Sequence, residues 1–189
     1  MVRVRQRVRM RSIAAATALT LAAATCLAIA SPAHAETFPI TDSFDDPSRW
    51  TSEEIPGSTS TDVASFPGAR SAPNMAYLDS YPIGPYEARI FRAITLNNGA
   101  SLPRSCTASI WATYAQQVDL GNVNVNLKVH SGGPTGQIIS VIGAQHLREG
   151  WIQRNFAPIP WPANSRTITV EIAAYHGVAM LDDFSINCR

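Results

Sequence analysis

Three segments of the chain carry polar or aromatic side chains at every second position, and these side chains could bind a sugar. One segment places Asn124 and Asn126 on one side, with valine and leucine on the other. Glu171 and Tyr175 alternate in the same way with apolar residues in a second segment, as Trp111 does in a third. This period of two predicts three β-strands, because successive side chains of a strand point to opposite faces.

A polar face that includes one aromatic ring has the composition of a carbohydrate-binding surface. A sugar has an apolar face, on which an aromatic ring can stack, and hydroxyl groups that amides and carboxylates can bind. The alternative is an ordinary solvated face, with Trp111 covered by a loop. If the three strands belong to one sheet, seven residues lie on its outer side: Trp111, Thr113, Asn124, Asn126, Lys128, Glu171 and Tyr175. Five of them are predicted to bind the ligand: Trp111, Asn124, Asn126, Glu171 and Tyr175.

Acidic residues near both ends of the predicted domain could bind a calcium ion. Asp182 falls among the apolar positions of the last predicted strand, and a buried carboxylate needs a cation or a hydrogen-bonding partner. First and last strands are often neighbours in sandwiches, and carboxylate oxygens suit calcium, so we predict a structural Ca²⁺ held by Asp42, Asp45 and Asp182. The alternative is that Asp182 pairs with an arginine and that the acids from Asp42 to Asp46 form a turn or a helix cap.

Catalytic constellations are hard to find in the sequence. His130, His146 and His176 lack the spacing of metal ligands, and the Gly-x-Ser-x-Gly motif of hydrolases does not occur. Several glutamates could include the carboxylate pair of a glycosidase, but such a pair is defined by its separation in space. We therefore predict a protein that is not an enzyme.

Aromatic residues also occur in proline-rich segments. Tyr81 and Tyr86 flank one such segment, and Trp161 lies between two prolines in another. Stiff loops of this kind can form binding platforms. They can equally close the ends of a sandwich, and the sequence leaves both interpretations open.

The pattern along the whole chain predicts an all-β fold, a two-sheet antiparallel β-sandwich or jelly roll with eight to ten strands. Turn residues are frequent, and they separate short runs of β-branched and aromatic residues. The clearest predicted strands are Asn122–His130, Ser165–Tyr175 and Cys106–Tyr114. The other predicted strands are Met75–Leu78, Ala88–Leu96, Gln137–Ile142, Trp151–Phe156 and Val178–Asn187.

The first 35 residues have the pattern of a secretory signal peptide. Five arginines precede an apolar run rich in alanine and leucine, and Ala33-His34-Ala35 supplies small residues for cleavage after Ala35. An uncleaved anchor and a lipidated Cys26 are the alternatives. The sequence thus predicts a secreted, extracellular β-sandwich domain over residues 36–189.

The charge of this domain argues against two classes of partner. The chain has 15 basic and 14 acidic residues, and loss of the five leader arginines leaves 10 basic residues and a net charge of −4. A mildly acidic domain lacks the basic surface of a nucleic-acid-binding protein. It also lacks a polybasic stripe for anionic lipids, so no membrane contact is predicted once the leader is removed.

Cys106 and Cys188 are the two cysteines of the predicted domain. In an oxidising compartment an even number favours a disulfide over free thiols. A bond between these two residues would close a loop of 82 residues.

The order of motifs resembles extracellular jelly-roll modules of the MAM type, and it is also similar to carbohydrate-binding modules with a galactose-binding-like sandwich. The resemblance implies a binding or adhesion module and a Cys106–Cys188 bond that matches the second MAM disulfide. The first MAM disulfide is missing, so the choice between the two families stays open. The motifs are Asn74–Asp79, Cys106–Trp111, Gly121–Leu127, Gly150-Trp151 and Val178–Cys188.

Together these observations predict a secreted, non-catalytic binding module whose ligand is an extracellular glycan. The first alternative is a protein-adhesion module of the MAM type with a protein partner. The second alternative is a small secreted hydrolase or lyase that acts on polysaccharides.

Overall fold

Two facing β-sheets make up the fold in the computed structural model, which describes residues 35–71, 73–81, 85–116 and 123–189. Within these ranges the chain forms twelve strands and one short 3₁₀ helix, Pro47–Arg49. None of the helical segments in these ranges has the length and apolar character needed to cross a lipid bilayer. The strands are β1 (Ala35–Glu36), β2 (Ile40–Asp42), β3 (Thr51–Glu53), β4 (Thr59–Ser65), β5 (Asn74–Ser80), β6 (Ala88–Leu96), β7 (Ser105–Gln116), β8 (Asn124–Ser131), β9 (Ile138–His146), β10 (Ile152–Pro160), β11 (Thr167–Tyr175) and β12 (Gly177–Cys188).

The strands divide evenly between two sheets. Sheet A has the order β1-β6-β11-β8-β9, and β3 also pairs with β6. Sheet B has the order β10-β7-β12-β5-β4, and β2 also pairs with β12. All pairs are antiparallel except the short parallel pair of β1 with β6. The predicted all-β sandwich is therefore confirmed.

Apolar side chains from alternate positions fill the space between the sheets. Val125, Leu127 and Val129 of β8 are fully buried, as the period of two predicts. Trp50 packs edge-on against Phe184 with ring centroids 5.6 Å apart, and it lies 4.9 Å from the Phe44 ring. Full burial of a valine, leucine or phenylalanine side chain stabilises the fold by about 1.5–3 kcal/mol. The core thus holds the two sheets together and leaves their outer faces to polar residues.

The disulfide joins β7 to β12 in sheet B. Cys106 and Cys188 lie opposite each other in the antiparallel register, and their sulfur atoms are 2.03 Å apart. The pairing implied by the resemblance is therefore present, and it closes a loop with a sequence separation of 82 residues.

All eight predicted strands are present, and seven of them have shifted ends. The strand at Ala88–Leu96 has the predicted bounds. The strand expected from Asn122 begins at Asn124, and Asn122 lies outside the described residues. The predicted signal peptide also lies outside them, apart from Ala35, and stays a prediction.

One face assignment in the last strand is wrong. Asp182 does not point between the sheets, because a bulge between Asp182 and Ser185 shifts the register of β12. Asp183 has a positive φ of 46° at this bulge. The side chains of Leu181 and Phe184 therefore enter the core, while Asp182 is directed to the outer face of sheet B, where a loop covers it.

Candidate functional site

A groove of about 420 Å³ lies on the outer face of sheet A. We call it the sheet A groove. Strands β3, β6, β11 and β8 supply its floor, and the hairpin between β8 and β9 supplies one wall. Its lining residues are Thr51, Ser52, Glu53, Arg89, Phe91, Lys128, His130, Pro134, Thr135, Ile138 and Glu171.

The period of two explains why the floor is polar. Since Leu127 and Val129 of β8 point into the core, Lys128 and His130 must point outward. Glu171 lies opposite Lys128 in the register of β11 with β8, so its side chain comes up on the same face. The same alternation that fills the core therefore brings charged groups together on the outside.

Glu171 is the central carboxylate of this face. Its Oε1 atom accepts a hydrogen bond from Lys128 Nζ at 2.9 Å, and its Oε2 atom lies 2.7 Å from His130 Nε2. The side chain is only 2% exposed, so its charge is compensated by neighbours rather than by water. Glu171 is thereby held in one orientation at the base of the groove.

Glu87, directly before β6, is the second carboxylate on this face. Lys128 Nζ donates to it at 2.6 Å, Arg89 Nε lies 3.2 Å away, and Tyr175 Oη also donates to it. Burial raises the pKa of Glu87, but the hydrogen bonds from Lys128 and Tyr175 and the nearby positive charges more than offset this and leave the pKa below its ordinary value of 4.5. Glu87 is thus held in its ionised form.

Lys128 connects the two carboxylates. Burial lowers the pKa of Lys128, but hydrogen bonds to Glu87 and Glu171 and their charges outweigh burial, so the pKa lies above 10.5. Arg89 extends the network to the edge of the groove, where its Nη1 atom lies 3.3 Å from Glu53 Oε2. We call this paired network the charged floor; it consists of Glu87, Arg89, Lys128, His130 and Glu171.

Asn126 and Tyr175 support the charged floor from one end. Asn126 Nδ2 donates a hydrogen bond to Tyr175 Oη at 2.6 Å, and Tyr175 Oη in turn donates a hydrogen bond to Glu87 Oε1. Burial and the bond to Glu87 raise the pKa of Tyr175 above 10.0, which keeps it a donor. Since Asn126 is only 7% exposed, it positions Tyr175 rather than presenting its amide to solvent.

The β8–β9 hairpin wall is tied to the floor through His130. The Nδ1 atom of His130 lies 3.2 Å from the Gly136 carbonyl oxygen. A Cβ atom at position 136 would collide with the Ser131 carbonyl, so the close turn requires glycine there. Ile138, on the same wall, is 48% exposed and gives the groove an apolar surface.

Trp111 does not share a face with the other predicted ligand residues. The assumption that the three clear strands form one sheet is wrong, because β7 belongs to sheet B whereas β8 and β11 belong to sheet A. Arg70 stacks over the Trp111 ring with its Cζ atom 3.9 Å from the centroid. A loop thus covers Trp111, as in the alternative interpretation, and its predicted role in ligand binding is untested.

The three acids predicted to bind calcium do not fit a shared site. Asp42 points between the sheets, where it accepts hydrogen bonds from Phe44 N at 2.8 Å and from Arg92. Asp182 accepts from Ser71 N and Oγ at 2.8 and 2.7 Å on the outside of sheet B. In the described part of the chain no three His, Cys, Asp or Glu residues are grouped to hold a metal ion.

The remaining acids of this segment form a turn. Asp45 is exposed and accepts from Ser43 Oγ at 2.6 Å, while Asp46 caps the 3₁₀ helix through Ser48 N at 3.2 Å. These contacts match the alternative interpretation of the segment as a turn and cap. Calcium binding by the protein is untested and stays a prediction.

Of the five predicted ligand residues, the structure brings three, Asn126, Glu171 and Tyr175, into one network, and only Glu171 lines the groove. Asn124 lies opposite Tyr175 in the register of β8 with β11. Arg89, Lys128 and His130 were not among them, although Lys128 and His130 continue the alternation of Asn124 and Asn126 along β8. Glu87 stands just outside β6, and only its contacts reveal its role. The alternation therefore marks the face, whereas contacts between strands decide which residues form the site.

Comparison with solved structures shows similar folds. The chain aligns with the CBM22-1 xylan-binding domain of Paenibacillus barcinonensis Xyn10C at a TM-score of 0.55 and 12% identity, covering 82% of this chain and 97% of that domain. It aligns with the arabinose-bound MgGH51 α-L-arabinofuranosidase at a TM-score of 0.56 and 11% identity, covering 77% of this chain and 25% of that enzyme.

A third similar structure contains the CBM22-1 and GH10 modules of Clostridium thermocellum xylanase 10B with xylohexaose. Its TM-score is 0.53 at 15% identity, with 78% of this chain and 27% of that chain covered. The chain thus spans about a quarter of the two enzymes and nearly all of the xylan-binding domain. At these identities the likeness is one of fold.

No protein-family model and no curated protein sequence matches this chain.

Proposed function

We propose that this protein is a secreted, non-catalytic module that binds a glycan chain in the sheet A groove. The observation that carries the proposal is the combination of an apolar wall at Ile138 with the charged floor on one open face. Export is supported by the leader pattern and by the disulfide, because disulfides persist in oxidising compartments.

The groove offers both kinds of contact that a sugar needs. The apolar face of a pyranose ring can pack on Ile138 and Pro134, and its hydroxyls can exchange hydrogen bonds with the more exposed Arg89 and Glu53. The floor groups already hold one another in place, so little conformational entropy is lost when a ligand binds. The xylan-binding domain of similar fold supports a polysaccharide as the ligand.

The lowered pKa of Glu87 and the Lys128 ammonium group that it shares with Glu171 argue against hydrolysis. A glycosidase needs one carboxyl group that is protonated near neutral pH and can act as a general acid. Glu87 instead has a lowered pKa, and both Glu87 and Glu171 accept hydrogen bonds from the same ammonium group. These glutamates therefore serve as counter-ions, which supports a binding role.

Adhesion to a protein is the second candidate. Ile138 and Val141 are 48% and 59% exposed on β9, which lies at the edge of sheet A. An exposed apolar edge strand can pair with a strand of another protein. A protein partner that pairs with β9 is therefore our second proposal, and it corresponds to the MAM-type alternative.

The test compares two neighbouring substitutions on β9. Affinity electrophoresis of the purified protein in gels containing xylan, arabinan, galactan or mixed-linkage glucan identifies a retarding polysaccharide. We expect Ile138→Ser, which changes the groove wall, to weaken retardation at least tenfold, and Val141→Ser to leave it within twofold. Equal loss in both variants, or no retardation by any of the four polysaccharides, would contradict glycan binding in the groove.

A further inference from the structure

A second depression lies on the opposite side of the sandwich. It has a volume of about 460 Å³ and is bounded by the end of strands β4 and β5 and the turn that precedes β4. The lining residues are Gly57, Ser58, Thr59, Ser60, Asp79 and Tyr81. None of them belongs to the sheet A groove.

The register of β4 with β5 places this depression on the outer face of sheet B. Leu78 and Ser80 are fully buried, so the intervening Asp79 points away from the core. Ser60 lies opposite Asp79 in the antiparallel pair and shares its face. The two depressions therefore open on opposite faces of the same domain.

Tyr81 gives the second depression an aromatic surface. Its side chain is 53% exposed, although its backbone is fixed by a hydrogen bond from Tyr81 N to the Ser58 carbonyl oxygen at 2.8 Å. An exposed ring on an ordered backbone can stack on a ligand at little entropic cost. Gly57, with a φ of +76°, shapes the turn that faces the ring.

Asp79 provides a carboxylate whose electrostatic neighbour is Tyr77, because burial and the charge of Asp79 raise the pKa of Tyr77. Among the described residues it has no hydrogen-bonding or ion-pairing partner, in contrast to Glu87 and Glu171 in the groove. A half-buried carboxylate without a partner gains from a ligand that donates hydrogen bonds. Serine hydroxyls at positions 58 and 60 add further donors and acceptors beside it.

We propose that this depression is a second carbohydrate site, in which an uncharged sugar stacks on Tyr81 and donates hydroxyl hydrogen bonds to Asp79. A uronic acid would bring a like charge to Asp79, which is why the ligand class is uncharged. The site is independent of the sheet A groove, because no residue is shared. A domain with sites on both faces binds two glycan segments at once and links separate polysaccharide chains.

The experiment measures stoichiometry and location of binding together. Isothermal titration of the purified protein with hexasaccharides from xylan, arabinan and galactan gives the number of sites. Amide chemical-shift changes in NMR spectra locate them. We expect two binding events, with Tyr81→Ala and Asp79→Asn each removing the event whose shifts lie around Ser58 and Ser60, and Tyr81→Phe retaining it.

A matched control is Ile55→Ala, since Ile55 is also an exposed apolar residue near this turn but does not line the depression. It should leave both events unchanged. A single event that is insensitive to Tyr81→Ala but abolished by Ile138→Ser would overturn the second site and leave the groove intact. Binding that depends on Tyr81 alone would overturn the groove and support the second site. Absence of binding to all three hexasaccharides would overturn both.

Discussion

Asp42 on β2 and Arg92 on β6 form a buried ion pair that connects sheet B to sheet A. Arg92 is 1% exposed, and its other terminal nitrogen lies 2.6 Å from Glu36 Oε1. Its guanidinium group also lies 5.9 Å from the centre of the Trp50 ring, and Trp50 Nε1 donates to Asp42 at 3.3 Å. The positive charge that pairs with Asp42 is therefore the Arg92 guanidinium group of the same chain.

Arg92→Met should destabilise the protein strongly. The substitution leaves the Asp42 and Glu36 carboxylates without their cation, and breaking a buried pair in this way typically costs about 3–5 kcal/mol. The free energy of unfolding in urea measures the effect. The control Arg49→Met removes the exposed pair with Asp46 and should change the free energy little. A loss for Arg92→Met no larger than for Arg49→Met would show that the pair does not hold the sheets together.

Stability should depend on pH through Glu87 and Lys128. The folded-state pKa of Glu87 lies below 4.5, so its stabilising contribution is complete above its unfolded pKa and is lost as the pH falls through the folded value. The pKa of Lys128 lies above 10.5, so its contribution is complete below the unfolded pKa and is lost as the pH rises through the folded value. Between these limits the contribution of the pair should be constant.

The measurement that checks this is urea unfolding at a series of pH values. Glu87→Gln should lower the free energy of unfolding near neutral pH and make the decline below pH 4.5 less steep. Glu149→Gln is the control, because Glu149 is exposed. In this variant the unfolding free energy should decline with falling pH as steeply as in the original protein. If Glu87→Gln and Glu149→Gln gave the same profile, the charged floor would not contribute to stability.

Trp111→Ala should reduce stability without reducing glycan affinity. The ring packs under Arg70, and the same loop is tied down by Ser71 donating to Asp182. Loss of this packing should cost about 1–3 kcal/mol in unfolding free energy. Gln153→Ala, which changes the residue opposite Trp111 on β10, is the control and should cost less. A large loss of affinity with unchanged stability would instead make Trp111 a ligand residue.

Removal of the disulfide should lower stability by an amount set by the length of the loop. The 82-residue separation of Cys106 and Cys188 corresponds to about 4.5 kcal/mol in the chain-entropy model. Urea unfolding of the double variant Cys106→Ala/Cys188→Ala measures this loss. A reducing agent should destabilise the original protein and have no further effect on the double variant, and equal sensitivity of both would contradict the prediction.

Local patterns predicted much of the fold because they depend on neighbours in the sequence. The alternation in β8 identified both the strand and its inward residues, and the run that forms β6 was predicted with the correct bounds. The strands β1, β2 and β3 were not predicted, since two or three residues carry no measurable period. The seven-residue strand β4 was also not predicted, because its mostly polar sequence shows no alternation of apolar and polar residues.

The candidate site was predicted in part. Glu171 was expected on an outer face and lies at the base of the groove, but Arg89 and Lys128 were not selected as ligand residues. Their importance follows from contacts across three strands, and no spacing within one strand encodes such contacts. Glu87 illustrates the point, because it precedes β6 and acquires its role only from Lys128 and Tyr175.

By itself, the sequence determined the strand character, the polar and apolar sides of each strand and the two cysteines available for a disulfide. The tertiary structure alone decided which strands are neighbours, and so placed Trp111 on the face opposite to Asn124 and Glu171. It also decided the direction of Asp182, because one bulge reverses the sides of a strand. The physical reason is that a period of two relates a side chain only to its own strand, whereas pairing between strands depends on packing of residues far apart in the sequence.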